Sequence, residues 1–479
     1  MSTASLIQNG GDRETLISCR NSQGAEIRAT PVRITRYTVV FEVYNPFSIL
    51  QLSEVLSEFR ISIGERLAYN GRAVVSNIVN AGIMVLCEAT LEESWLEIDL
   101  FSPISQPDRL RAEFAEFMVE WAKIRAVLPE FKVTVADFQT LLLDLRRWLD
   151  QVELGVRSEA SGARADMERS VLLELESRML PEIEGWMTRF DEVANGVPDE
   201  ARPAHRAYAR RQLHPLVLCA PFVYRTFQKP LGYAGDYEMV NMILRDPHEG
   251  ATMFAKLVNV CFLQNPPAAA HRNRIKFLKR RLAEETRRVM SAGRRIQILN
   301  MGCGPAREVR EFLAEDAAAD MADFQLFDFN PQTLDYTRTT LAETRARHGR
   351  RTGMTLSEKS INQLLKEAAK ATSTMPGRQY DLVYCAGLYD YVSDRVCRRL
   401  NELFYHLLAP GGLMIVTNVD ASKPFRHSMD FLLEWHLIYR NRPAMSQIIP
   451  AEAAGAATKI DSDPTGVNLF LEIRKPAAP

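Results

Sequence analysis

The sequence predicts a multidomain α+β protein, with a small N-terminal β-barrel, a central helical region and a C-terminal doubly wound α/β domain that ends in an antiparallel last strand. Three observations carry this expectation. Alternating β-branched and aromatic runs extend to about residue 104, apolar residues then recur at three- and four-residue spacing, and strand-like segments alternate with helix-like ones from Arg294 onward. A chain of 479 residues exceeds one ordinary core. The boundaries read from these changes are 1–104, 105–270 and 271–479.

In the first region, IRATPVRITRYTVVFEVYN and FRISIGERLAYNGRAVVSNIVNAGIMVLCEATL hold short runs broken at Gly64, at Asn70-Gly71 and from Asn80 to Gly82. Successive hairpins of that length suggest a small barrel. After Pro103, LRAEFAEFMVEWAKIRAVL, ADFQTLLLDLRRWLDQVELGV and ERSVLLELESRMLPEIEGWMTRFDEVA read as amphipathic helices. Phe114, Phe117, Trp121, Leu141, Leu145 and Trp148 mark stripes expected in a core or dimer contact, and helix is expected to about residue 290. Then IQILNMG, FQLFDFN, MTLSEKS, YDLVYCAGL and GGLMIVTNV read as buried strands between amphipathic helices, the pattern of a doubly wound parallel sheet. VNLFLEIRKP, after the turn-rich DSDPTG, supplies the antiparallel last strand.

With 46% hydrophobic and 25% charged residues and a formal net charge of -1, the chain has a soluble, folded composition without the basic excess that grips a phosphate backbone. No nucleic-acid partner is expected. Cys19, Cys87, Cys219, Cys261, Cys303, Cys385 and Cys397 are scattered and form no C-x-x-C pair, so neither a disulfide framework nor a metal site is signalled. The N-terminus lacks a basic start before an apolar run, and no segment approaches the roughly 20 apolar residues of a membrane span. A cytoplasmic location without stable membrane insertion is expected.

The strongest local signal is ILNMGCGPAREVREFL, a buried strand ending at Asn300 that runs through Gly302 and Gly304 into a helix. Such a turn lets a ligand approach the backbone, and the helix N-terminus adds polar N–H groups. Asp328 ends FQLFDFN, where a doubly wound fold places an acid for ribose hydroxyls; the other reading is a helix cap before NPQTLDYT. The turn lacks the third glycine of G-x-G-x-x-G, which argues against a dinucleotide.

In order and spacing, ILNMGCGPAREV, FDFNP, YDLVYCAGLYDYVSD and LLAPGGLMIVTNV resemble the motifs of class I methyltransferases. The resemblance implies a Rossmann-like α/β methyltransferase domain that uses S-adenosyl-L-methionine. It implies that the Gly302/Gly304 turn lies against the methionine end, that Asp328, with Asn330 beside it, holds the ribose, and that Ser360, Ile361 and Asn362 lie near adenine. Ala386, Gly387 and Asp390 fall in the next loop on the cofactor side. Asn300 stands where that family usually has an acid.

Upstream, TFQKPLGYAGDYEMVNMIL packs Gly232, Tyr233, Gly235, Asp236 and Tyr237 together, which suits either a loop closing over a ligand or a helix-helix turn. With AGLYDYVSD and FLLEWHLIYR, it resembles the methyltransferases that make 3-hydroxy fatty acid methyl ester signals, the extracellular-factor biosynthesis family. That resemblance implies methyl transfer to the carboxylate of a hydroxylated fatty acid or similar hydrophobic acid. A carboxylate is already ionised near neutral pH and needs no general base, so alignment and desolvation do most of the work. Tyr233, Tyr237, Tyr389 and Tyr391 are the candidates for orienting the acceptor. For another small oxygen or nitrogen acceptor, His427 or His436 is the candidate base.

The N-terminal region resembles a PilZ-type barrel, which implies a cyclic-dinucleotide receptor with an arginine pair and a D/N-x-S-x-x-G turn. Here Arg28, Arg33 and Arg36 are irregularly spaced, and Val79 stands where serine is expected in Asn77 to Gly82. A barrel used for packing or association is the favoured reading. A non-catalytic regulatory protein with a nucleotide-sensing barrel is the alternative from another class. The long helices allow a homodimer.

Overall fold

The structure, a computed structural model, describes residues 15–35, 37–43, 50–63, 66–80, 85–91, 111, 114–115, 118, 127–361, 363–365 and 379–477. Contacts divide the chain into two compact units, neither continuous in sequence. The first takes the described residues up to Ala234 with Asp246–Asn265 and Phe425–His436; the second takes Gly235–Arg245, Pro266–Pro424 and Leu437–Pro479.

The first unit contains a closed antiparallel barrel of β1 (Thr15–Arg20), β2 (Glu26–Ile34), β3 (Thr38–Val43), β4 (Val55–Ile63), β5 (Arg66–Asn80) and β6 (Val85–Leu91), in the order β1-β2-β3-β6-β5-β4. Alternation along β2 buries Ile27 and Ala29 and turns Arg28 outward, as a half-buried strand requires. Phe41, Phe59 and Tyr69 fill the interior, with ring centroids 5.8 and 6.2 Å apart in successive pairs. Asn70-Gly71 is not the expected hairpin turn. It lies within the 15-residue β5, where Gly71 pairs with Phe59 beside a register shift and Glu58 takes a φ of 49°. A glycine in a long strand marks a bulge, and an aromatic across from it covers the missing side chain. Gly64, Ala81 and Gly82 lie outside the described residues.

Helices Pro129–Ser158, Arg164–Asn195, Arg202–Val217, Pro221–Gln228 and Met253–Gln264 also belong to this unit. Along the first of them Phe131, Val135, Phe138, Leu142 and Leu149 are buried at helical spacing. The stripe therefore runs beside the expected one: Leu141 and Leu145 are half-buried and Trp148 is exposed. Phe114 is exposed, and Phe117 and Trp121 lie outside the described residues.

The second unit is built on β7 (Ile296–Met301), β8 (Ala322–Asp328), β9 (Gly353–Glu358), β10 (Tyr380–Cys385), β11 (Leu408–Val419), β12 (Ala457–Ser462) and β13 (Asn468–Arg474), in the order β12-β13-β11-β10-β7-β8-β9. Strands β7 to β11 are parallel, while β13 runs antiparallel to β11. The antiparallel strand expected at the end is one arm of a hairpin whose other arm, β12, the sequence does not announce. ATKIDS is exposed or half-buried throughout, as an edge strand is, and carries no apolar alternation. Among the described residues no helix is long and apolar enough to cross a membrane.

Candidate functional site

Strand order reverses beside β7: β8 and β9 extend to one side, β10 and β11 to the other. In open α/β sheets the crevice at the carboxyl ends of strands that flank such a reversal is where ligands bind. The turn after β7 takes left-handed backbone at Gly302 (φ 65°), Gly304 (φ 52°) and Ala306 (φ 43°) before helix Arg307–Glu315 begins. Glycine tolerates that conformation; Ala306 adopts it at a cost. A Cβ on Gly304 would meet no heavy atom within 4 Å, so open space adjoins the turn.

Asp328, at the end of β8, is buried and accepts the Gly304 N–H on Oδ2 and the Asn330 N–H on Oδ1, each at 3.0 Å. Burial pushes its carboxyl up, against the pull of those N–H bonds. The helix cap is Asn330, whose Oδ1 accepts the Thr333 N–H at 3.0 Å, so the capping role considered for Asp328 falls to its neighbour.

Asn300 is buried and its Nδ2 donates to Glu308 Oε1 at 3.3 Å; the Tyr384 hydroxyl donates to the same oxygen at 2.8 Å. Burial pushes the Glu308 carboxyl up as well. An acid thus stands beside Asn300 in space although Asn300 is not one. Sequence reasoning passed over Glu308 because it compared only the strand end, and the eight-residue separation closes only through the turn.

Ser360 and Gln363 cap one another reciprocally, Ser360 N–H to Gln363 Oε1 at 2.8 Å and Gln363 N–H to Ser360 Oγ at 3.3 Å. Ile361 is buried, and Asn362 lies outside the described residues. Past β10, half-buried Ala386 packs on the strand core and Gly387, at φ 92°, donates its N–H to Thr417 Oγ1 at 3.1 Å. A Cβ on Gly302 would lie 3.9 Å from Leu388 Cβ, so the loops after β7 and β10 adjoin. Asp390 is buried with Oδ1 accepting the Val419 N–H at 2.7 Å; burial pushes its carboxyl up to about 6, against the opposing charges of Arg274, Arg440 and Lys423.

The aromatic candidates separate. Tyr389 is fully buried, its hydroxyl donating to Asn401 Oδ1 at 2.6 Å, so it serves packing. The Tyr391 hydroxyl lies 3.0 Å from where a Gly235 Cβ would sit, and Gly235 has a φ of 79°. Asp236 caps helix Tyr237–Leu244, accepting the Met239 N–H at 2.8 Å, and Tyr237 stacks on Tyr336 with centroids 4.7 Å apart. Tyr233, half-buried, belongs to the first unit, as do both histidines. His427 Nε2 contacts Asn195 Oδ1 at 3.3 Å. His436 pairs through Nδ1 with Asp430 and donates its backbone N–H to Ser53 Oγ, and burial lowers its pKa against the pull of Asp430.

No protein-family model matches the sequence, and no curated protein sequence matches it. Among solved structures, the chain is similar to a possible exported protein from Bordetella parapertussis at 22% identity, with a TM-score of 0.40, 53% of this chain and 86% of that one being covered. It is similar to an O-methyltransferase family protein from Burkholderia thailandensis at 14% identity (TM-score 0.33; 58% and 72% covered). It is also similar to magnesium protoporphyrin IX methyltransferase from Synechocystis with bound SAH, at 12% identity (TM-score 0.35; 53% and 98% covered). Likenesses of this strength assign no function.

Proposed function

We propose that the second unit binds S-adenosylmethionine at the reversal beside β7, and that the chain is a methyltransferase acting on the carboxylate of a hydroxylated fatty acid or similar hydrophobic acid. The observation that carries this reading is Asp328, a buried carboxylate at the carboxyl end of β8 tied to the Gly304 N–H of a left-handed turn. Its two oxygens accept three backbone N–H groups, from Gly304, Asn330 and Phe329, which leaves acceptor capacity for a hydroxyl donor. A ligand with a ribose diol, an ammonium and a chain that approaches backbone closely fits Asp328, Glu308 and the Gly302/Gly304 turn respectively. Both carboxyls are pushed up by burial in its absence, and those donors would favour their ionised forms.

When bound, the cofactor supplies an electrophilic methyl on a sulfonium. Asp328 would accept the ribose hydroxyls, Glu308 with Asn300 and Tyr384 would face the ammonium, and Ser360 and Ile361 would border the adenine. Ala386, Gly387 and Asp390 would form the wall on the β10 side. The acceptor class rests on the GYAGDYEM run, of which Gly235 and Tyr237 stand near Tyr391 and Tyr336. A carboxylate nucleophile needs no base. Seven unpaired thiols, all but Cys219 buried, fit a reducing cytoplasm. For the barrel we favour packing or association: Arg28 is exposed and paired with Glu26 at 3.2 Å, Arg33 is exposed, and Arg36 lies outside the described residues.

The test is calorimetric titration with S-adenosylmethionine and S-adenosylhomocysteine, followed by product mass after incubation with 3-hydroxy fatty acids. Asp328→Ala is expected to weaken cofactor binding by about 30-fold or more, and the unmodified protein to add one methyl to the acid. Absence of cofactor binding by the unmodified protein sinks the reading; binding without any methyl ester sinks the acceptor.

A further inference from the structure

Three arginines are buried among the described residues: Arg206, Arg274 and Arg440. Arg206 pairs with Asp430 at 3.1 Å and Arg440 with Asp394 at 2.7 Å, as buried guanidinium groups require. Arg274, on helix Pro266–Met290, is 8% exposed and has no carboxylate at ion-pair distance among the described residues. Its hydrogen bond is from Nη2 to His271 Nδ1 at 3.0 Å, a neutral acceptor. His271 is held neutral by burial and by the positive charges of Arg274, Arg272 and Lys423. Asp390 and Glu308 attract Arg274 from beyond ion-pair range, and both carboxyls are themselves pushed toward the protonated form by burial. Arg274 is therefore buried with no carboxylate in direct contact among the described residues.

Its place gives this guanidinium a meaning. A Cβ on Gly387 would lie 3.3 and 3.4 Å from Nη1 and Nη2 of Arg274, so the guanidinium lies against the Gly387 turn. That turn leaves the carboxyl end of β10 and adjoins the Gly302 turn through Leu388. The guanidinium thus stands beside the proposed methionyl end of the cofactor, and only at a glycine is the approach this close.

We propose that Arg274 binds the anionic head of the methyl acceptor, holding one carboxylate oxygen and leaving the other to react. The inference rests on the methyltransferase reading and adds the group that selects an acid. The free oxygen forms a bond to the methyl carbon as the carbon–sulfur bond breaks and its electron pair remains on sulfur, so no proton moves and a neutral ester results. Loss of the negative charge removes the ion pair to Arg274, and the product is held less tightly than the substrate.

The experiment uses the full-length protein saturated with S-adenosylhomocysteine, titrated with 3-hydroxy acids of increasing chain length and with their methyl esters. The unmodified protein is expected to bind the best acid about 10- to 100-fold more tightly than its ester. Arg274→Gln is expected to bring acid and ester to equal affinity while the S-adenosylhomocysteine affinity stays. Equal binding of acid and ester by the unmodified protein, or no binding of any acid, overturns the proposal without reference to the variant. An acid preference that survives in a folded Arg274→Gln overturns it too. A protein that binds no S-adenosylhomocysteine fails one step earlier, at the methyltransferase reading itself.

Discussion

In the first unit Glu434 stands between Arg210 at 2.5 Å and Arg72 at 3.7 Å, with Lys229 contributing a third positive charge, and Asp430 stands between Arg206 and His436. In the second, Asp328, Glu308 and Asp390 are equally buried, with no cation at ion-pair distance among the described residues. The outcome for the same chemical group is opposite. Burial alone would raise all five carboxyls, yet Arg210, Lys229 and Arg72 hold Glu434 down to about 2, and Arg206 with His436 holds Asp430 well below the usual range. Asp390 is pushed up to about 6, and Asp328 and Glu308 are raised as well. Charges that have their partners hold a fold together; charges buried without partners are characteristic of groups that meet a ligand.

The largest effect that tests this contrast is on the paired side. Glu434→Gln leaves Arg210, Arg72 and Lys229 without their carboxylate, and is expected to cost about 3–5 kcal/mol of stability in urea unfolding at pH 7. Because Glu434 is depressed from 4.5 to about 2, its contribution is fully present above 4.5 and is lost as pH falls through 2. The acid limb of the stability curve should flatten in the variant. A neutral substitution would mean that the network is not architectural.

Asp390 has the reverse sign. Its folded carboxyl holds a proton more tightly than the unfolded one, so its contribution is greatest below 3.8 and is lost as pH rises through about 6. The difference amounts to about 3 kcal/mol at neutral pH. Asparagine keeps an acceptor for the Val419 N–H without the charge. Asp390→Asn is therefore expected to be the more stable protein at pH 8 and to converge with the unmodified protein near pH 4. Identical pH profiles would remove Asp390 from the unpartnered group.

What the sequence disclosed follows the same division. The Gly302/Gly304 turn and Asp328 were legible because each lies in a contiguous strand-turn-helix segment whose apolar run marks the strand. The parallel strands were legible for the same reason, whereas β12 has no apolar alternation to reveal it. Glu434 and Arg210 are 224 residues apart, and no local pattern pairs them. His436 drew attention through its neighbours Glu434 and Tyr439, but its ion pair is with Asp430, six positions earlier. Arg274 looks like any other cation of the basic run in helix Pro266–Met290 until burial distinguishes it.

The smallest expected effect concerns an uncharged contact of the second unit, the stack of Tyr237 on Tyr336 at 4.7 Å and 27°. Stacked aromatic pairs contribute about 0.5–1.5 kcal/mol beyond the area they bury, and a double-mutant cycle of Tyr237→Leu and Tyr336→Leu should return a coupling of that size. Measuring the cycle with and without saturating S-adenosylhomocysteine sharpens the contrast. The cofactor raises the stability of the folded state by its own binding free energy, which cancels from the coupling if the stack is purely architectural. Tyr237 starts the helix capped by Asp236, next to Gly235 and the Tyr391 hydroxyl. If it belongs with the ligand-facing groups, the coupling should grow by a few tenths of a kcal/mol when the site is filled; an unchanged coupling would place the stack with the architecture.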